Sequence, residues 1–179
     1  MRALVVYESM YGNTHAVATS IAAGLQCTHD VTLVPVTRAT PELVARADLL
    51  VAGGPTHMHG MSSGASRRMA ADTAHKQGND LTMDPDADCP GIRGWLDGVG
   101  TGDALAVAFD TRFSGAAVLT GRASRAISHA LRHHGYHVFE VPESFLVSKQ
   151  NKLLPGEAER AYSWGAQIGE DALSLTAAG

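Results

Sequence analysis

The sequence predicts a doubly wound α/β fold, with residues 1–179 forming one domain around a five-stranded parallel sheet in the order 2-1-3-4-5 and helices on both faces. Three observations carry this. The runs Leu4-Val5-Val6-Tyr7, Leu49-Leu50-Val51-Ala52 and Ala104 to Phe109 are apolar throughout, as central parallel strands covered on both faces must be. Two further runs are mixed: residues 31–36 contain Pro35, which cannot donate to a ladder, and Tyr136 to Val141 contains His137 and Glu140, so both belong at sheet edges. Segments of helical period lie between the strands, the alternation that a parallel sheet requires.

In chain order, a strand over 2–7 leads into a helix beginning at Asn13, whose Val17, Ile21 and Leu25, with Ala18 and Ala22, make one buried stripe. After the edge strand 31–36, Pro41 opens a short helix from Glu42 to Ala47. The third strand ends at Gly53 and gives way to a glycine-rich loop, followed by a helix from about Ser63 to Gln77. Residues 78–103 are the least regular, with a short helical piece at Ile92 to Leu96. Thr120 or Ser124 is placed to cap a helix that carries Ile127 and Leu131 and ends near Gly135. From Glu157, a last helix sets Ala161, Trp164, Ile168, Ala172 and Leu175 in register.

A formal net charge of -4 excludes the basic excess of a nucleic-acid-binding surface. No apolar run approaches membrane-spanning length, and a strand starting at residue 2 leaves no room for a leader. Cys27 and Cys89 form no zinc or disulfide pattern, which suits a cytoplasmic protein with reduced thiols.

The chemistry concentrates in Ser9-Met10-Tyr11-Gly12-Asn13-Thr14, between the first strand and the first helix. A helix start leaves amides without intrahelical partners and carries partial positive charge. Gly12 permits the turn, while Ser9, Asn13 and Thr14 bring further hydrogen-bonding groups, so the segment can hold a phosphate. It contains no lysine or arginine, which excludes the Walker pattern. An ordinary helix N-cap uses the same residue types.

This segment resembles the phosphate loop of the flavodoxin family, Ser/Thr-x-x-Gly-Asn-Thr, which wraps the phosphate of flavin mononucleotide (FMN). The resemblance extends over most of the chain, and the strand order expected above is that family's. It implies that Ser9, Met10, Tyr11, Gly12, Asn13 and Thr14 surround the phosphate. The family's flavin contacts fall on two more loops. In Gly53-Gly54-Pro55-Thr56-His57-Met58-His59-Gly60 the implied ring-lining residues are Pro55, Thr56, His57 and Gly60. This loop departs from the family in having no Trp or Tyr to stack on the ring. In Phe109-Asp110-Thr111-Arg112-Phe113-Ser114-Gly115 they are Asp110, Thr111, Arg112 and Phe113, with Phe113 covering the ring and Arg112 available to a reduced, anionic flavin. The tail, Ser144 to Val147 and Pro155 to Gly165, also looks like the ending of single-domain members, with Trp164 packing the last helix.

Other motifs fail on inspection. Gly60-Met61-Ser62-Ser63-Gly64 matches a nucleophile elbow, but Ser62 lies too far beyond its strand. Asp84, Asp86 and Asp88 open like a calcium loop, yet Cys89 and Trp95 stand where its glycine and glutamate belong. Gly98 to Gly102 precedes a strand, so it is no dinucleotide fingerprint. The pairs His57 and His59, and His129 and His133, lack a third metal ligand.

The expected function is that of an FMN-binding redox protein, without a catalytic side chain or metal, carrying electrons between a reductase and an acceptor. The redox partner is a protein or a small quinone-like acceptor, and oligomeric state is left open. Two alternatives stand beside the carrier: an FMN-dependent NAD(P)H:quinone-type oxidoreductase, and a flavin-free scaffold serving as an interaction domain. The milder charge than that of strongly acidic carriers leans towards the enzyme, and residues 60–103 are long enough to shape a substrate pocket or partner surface.

Overall fold

A computed structural model describes residues 1–74, 82–85, 87 and 90–178. The chain runs β1 (Arg2–Tyr7), α1 (Asn13–Leu25), β2 (Asp30–Pro35), α2 (Pro41–Ala45), β3 (Leu49–His57), β4 (Gly60–Met61) and α3 (Gly64–Ala74). It continues through α4 (Ile92–Asp97), β5 (Leu105–Phe113), α5 (Ala117–Thr120), α6 (Ala123–His133), β6 (His137–Val138), β7 (Glu143–Val147) and α7 (Glu157–Ala177). The sheet path is β2-β1-β3-β5-β6, with β4 antiparallel on β3 and β7 parallel on β5. This is the expected 2-1-3-4-5 order, with the fifth strand in two pieces.

Side chains alternate across the central strands, which explains why those strands are apolar on both faces. Val5, Val51 and Val107 pack with Val17, Ile21 and Leu25 of α1 and Ile168 of α7. Leu4, Val6 and Leu50 pack on the opposite face with Ile92, Leu96, Ile127 and Leu131. Pro35 closes β2 at the sheet edge, paired with Tyr7.

Several boundaries differ from expectation. Residues 53–57 and 109–113 form no loops; β3 and β5 run on together, pairing Gly53 with Phe109, Gly54 with Asp110 and Pro55 with Thr111. The chain then reverses through Met58 and His59, both at positive φ (47° and 72°), so that β4 pairs back on β3. The edge strand expected over Tyr136 to Val141 is reduced to His137–Val138. Most of that edge is instead β7, whose Phe145 is fully buried against Phe109 and Trp164. Leu175, expected in the buried stripe of α7, is exposed. The helix expected to reach Gln77 is described to Ala74; Gln77, Asp86, Asp88 and Cys89 lie outside the described residues.

Neither Thr120 nor Ser124 caps α6 with its own side chain. The first amides of α6 are met from across the sheet: Ser124 N–H donates to Asp110 Oδ2 (2.7 Å) and Ala123 N–H donates to Thr56 Oγ1 (2.9 Å). A partial positive charge at a helix start favours the carboxylate there. No described helix is long and apolar enough to cross a membrane.

Candidate functional site

The carboxyl ends of β1, β3 and β5 meet at the point where the sheet order reverses, the place where open α/β sheets gather ligands. A cavity of about 650 Å³ opens there. That size lies within the roughly 300–1,000 Å³ usual for small-molecule sites.

Its first wall is the turn after β1. Gly12 adopts φ 85°, a left-handed conformation that a Cβ would strain. The Gly12 amide donates to Ser9 Oγ (3.1 Å), while the Gly12 carbonyl receives the Ala16 amide (2.9 Å). Among the described residues, no hydrogen bond uses the amides of Asn13, Thr14 or His15 as donors. These are the orphan amides of a helix start, and they match an anionic oxygen. The turn is braced on both sides. Tyr11 Oη donates to the Ala70 carbonyl of α3 (2.9 Å), and burial raises the phenol's pKa, keeping that proton in place. His15 stacks on Tyr7 with ring centroids 4.6 Å apart, and its Nδ1 lies 3.4 Å from Asp84 Oδ2. The Asp84 amide in turn donates to the Met10 carbonyl (2.7 Å).

The second and third walls are the extended ends of β3 and β5. Thr14 and Thr111 share a hydrogen bond, 2.7 Å between hydroxyl oxygens, which locks the turn to β5. His57 lines the cavity, and burial lowers its pKa, favouring the neutral imidazole. Phe113 stands half-exposed at the mouth. Arg112 Nη1 donates to the carbonyls of Phe113 (3.2 Å) and Gly115 (2.9 Å) and to Thr120 Oγ1 (3.0 Å). Its guanidinium therefore holds the segment after β5 in shape.

Of the residues singled out in the sequence, Met10, Tyr11, Asn13, Thr14, Pro55, Thr56, His57, Thr111, Arg112 and Phe113 line this one cavity. Ser9, Gly12, Gly60 and Asp110 do not. Ser9 is buried beneath the turn, and Gly60 pairs with His57 in the β3–β4 hairpin. Asp110 is wholly buried and faces α6; burial raises its pKa, opposed by the hydrogen bond from the Ser124 amide and by the nearby Arg122 charge.

Besides Leu119 and Thr120 of α5 and Val147 of β7, sequence reasoning missed two contributions to the lining. Met69, Ala70 and Thr73 of α3 close one side. Lys149 and Asn151, from the turn after β7, close another. The only trace of the first was the length of residues 60–103; the second had no local signal. Ser62, dismissed as a nucleophile, is buried and hydrogen-bonded to Glu8. No group of three or more His, Cys, Asp or Glu side chains suited to a metal occurs among the described residues.

The lining suits FMN. Unused helix amides offer donors for a phosphate, Asn151 Nδ2 is a buried donor with no partner, and no described carboxylate lines the space.

Residues 5–93 match the family described as Flavodoxin. None of the curated proteins compared with the sequence matches it. Among solved structures, the chain is similar to a flavodoxin from the domain Archaea at 18% identity and a TM-score of 0.66, over 96% of this chain and 99% of that one. It is similar to the flavodoxin, WrbA-like protein from Agrobacterium tumefaciens at 20% identity and a TM-score of 0.63, over 97% and 98%. Oxidised Flavodoxin 1 from Bacillus cereus gives 16% identity and a TM-score of 0.65, over 95% and 98%. These likenesses concern the fold; with the match over residues 5–93, the chain belongs to the flavodoxin family, whose members bind FMN.

Proposed function

We propose that this protein is an electron carrier that holds FMN in the cavity at the ends of β1, β3 and β5. The observation that carries the reading is the convergence of the orphan amides of α1, the Thr14–Thr111 link and the extended β3 and β5 ends on one cavity. Asn13, Thr14 and the backbone of the turn would hold the phosphate, each charge-assisted bond contributing roughly 1.5–3 kcal/mol. Pro55, Thr56, His57, Thr111 and Phe113 would border the ring. FMN, when bound, supplies the electron storage, and the protein supplies position and electrostatics.

A carrier needs the flavin edge to reach the surface where a partner docks. Met58, Leu119 and Phe113 surround the mouth with exposed apolar area, which favours contact with a partner protein. The exposed free thiol of Cys27 suits a reducing compartment, so we place the carrier in the cytoplasm. A second reading draws on the apolar lining from Met58, Met69 and Leu119, which would also accept a small quinone-like acceptor inside the cavity. The protein would then be an NAD(P)H:quinone-type oxidoreductase.

The deciding experiment loads the purified protein with FMN and follows oxidation of NADPH or NADH. Turnover only when a separate flavin reductase is present supports the carrier. Steady turnover with a quinone and no reductase supports the enzyme. If neither FMN nor riboflavin binds, the redox reading falls and a flavin-free scaffold takes its place.

A further inference from the structure

We infer that Lys149 and Asn151, on the turn after β7, complete the anion-binding end of the cavity and set its preference for a phosphorylated flavin over an unphosphorylated one. The inference rests on the FMN reading above. The turn Ser9 to Thr14 contains no lysine or arginine, so it offers an anion only neutral donors. Any cation that meets the anion comes from elsewhere in the chain, and the fold delivers Lys149.

The segment Ser148 to Lys152 closes on itself, Ser148 N–H donating to the Lys152 carbonyl (2.8 Å) and Asn151 N–H to the Ser148 carbonyl (2.9 Å). Asn13 Nδ2 then donates to the Asn151 carbonyl (2.9 Å), fastening this turn to the first residue of α1 across 138 positions of sequence. Lys149 and Asn151 thereby line the cavity alongside Asn13 and Thr14.

Their polar groups are unspent. Lys149 makes no ion pair among the described residues, and Asn151 Nδ2 is buried without a hydrogen-bond partner. A buried amide donor with no acceptor is costly and calls for a ligand atom. Among the described residues, the other lysine or arginine in the lining is Arg112, whose Nη1 is tied to Phe113, Gly115 and Thr120 of the segment after β5, although its Nε is also buried without a partner. The chain's net charge is -4, yet no described aspartate or glutamate lines this cavity. An exposed ammonium at the rim of a pocket that no described carboxylate lines, beside unused helix amides, is matched by a phosphate.

The test measures dissociation constants for FMN and riboflavin by flavin fluorescence quenching, at low and high salt, for the wild type, Lys149→Met, Lys149→Arg and Asn151→Gly. Glycine at 151 keeps the backbone carbonyl that binds Asn13 and accepts the φ of 57° found there. Lys149→Met is expected to weaken FMN by roughly tenfold or more, the usual scale for a charged hydrogen bond, and to leave riboflavin unchanged. Its FMN affinity should also depend less on salt, because a screened attraction has gone. Lys149→Arg should restore most of the FMN affinity, and Asn151→Gly should show a smaller loss confined to FMN. The inference is overturned if Lys149→Met binds FMN with wild-type affinity and salt dependence, or loses both flavins equally. A wild type that binds neither flavin overturns the FMN reading itself, and this inference with it.

Discussion

Replacing Glu8 separates the hydrogen bonds that hold the cavity's outer wall from the ion pair beside them. Glu8 directly precedes the phosphate-holding turn and is 4% exposed. Ser62 Oγ donates to its carboxylate, at 2.5 Å from Oε1 and 2.7 Å from Oε2, and the Ile92 amide donates to Oε2 at 2.8 Å. Arg67 Nη1 lies farther off, 4.0 Å from Oε1, and donates instead to Ser62 Oγ at 3.2 Å. One carboxylate thus ties the end of β1 to the starts of α3 and α4. Gly91 permits the approach, since a Cβ there would lie 2.7 Å from Glu8 Oε2.

Glu8→Ala leaves the Ser62 hydroxyl and the Ile92 amide buried without an acceptor, at about 1–3 kcal/mol each. Arg67 adds little, because its contact is long and its side chain partly solvated. A loss of about 3 kcal/mol is expected, within the range for removing one partner of a buried charged cluster. For a chain of this length that lowers Tm by roughly 6–12 °C. Glu8→Gln keeps an acceptor for Ile92 and can donate to Ser62, so it should cost less than about 1.5 kcal/mol. Urea unfolding of both variants, with Ser62→Ala closing a double-mutant cycle, measures each term. If Glu8→Gln is as damaging as Glu8→Ala, the energy lies in the charge opposite Arg67 and the hydrogen-bond account is wrong. If Glu8→Ala costs under about 0.5 kcal/mol, the cluster is dispensable and the whole argument falls.

Other positions separate fold from site. Burial raises the folded pKa of Asp110 above its unfolded value, so its contribution to stability is full below the ordinary carboxylate pKa and is lost as pH rises through the folded one. Asp110→Asn keeps an acceptor for the Ser124 amide and cannot ionise; its stability relative to wild type should therefore increase with pH across that window in urea titrations, and a constant difference would contradict the assignment. Gly12→Val should lower stability by about 1–3 kcal/mol through its left-handed backbone and weaken FMN binding, whereas Gly12→Asn should retain more of both; unchanged flavin affinity in the valine variant would refute the role of the turn. Phe113→Ala should alter the absorption spectrum and affinity of bound flavin with little change in Tm, because the ring is half-exposed, and an unaltered spectrum would remove Phe113 from the ring's cover.

What the sequence makes legible is what local patterning controls. Leu4 to Tyr7 and Leu49 to Ala52 announce central strands because a strand covered on both faces must be apolar at every position. The Gly12-Asn13-Thr14 turn is legible because a positive φ and an uncapped helix start demand those residue types. The strand ends are not legible in the same way. Gly54 and Pro55 carry weak strand preference, and they continue β3 only because Asp110 and Thr111 continue β5 beside them. Local rules place the cap of α6 on Thr120 or Ser124, but Asp110 and Thr56 supply it from other strands. Likewise the split edge follows from pairing: Glu143 to Val147 finds Phe109 to Phe113 only because β5 is longer than its apolar run.

That lengthening is also what makes the site. Had β3 and β5 stopped at the end of the apolar core, Thr56, His57, Thr111 and Phe113 would sit on separate loops with independent motions. Paired as strands, they are held by the ladder, and the Thr14–Thr111 bond extends the same frame to the phosphate-holding turn. A site built on strands keeps its geometry with less reorganisation than one built on loops. The extension carries a hazard, since it brings Asp110 to the cavity's edge, where a carboxylate would repel an anionic ligand. The fold removes it by turning Asp110 onto the Ser124 amide at the start of α6, where the helix start gives its charge a partner. The positive ends of two helices therefore receive different anions: α6 takes the protein's own carboxylate, and α1, whose first amides no described side chain satisfies, is left for the ligand.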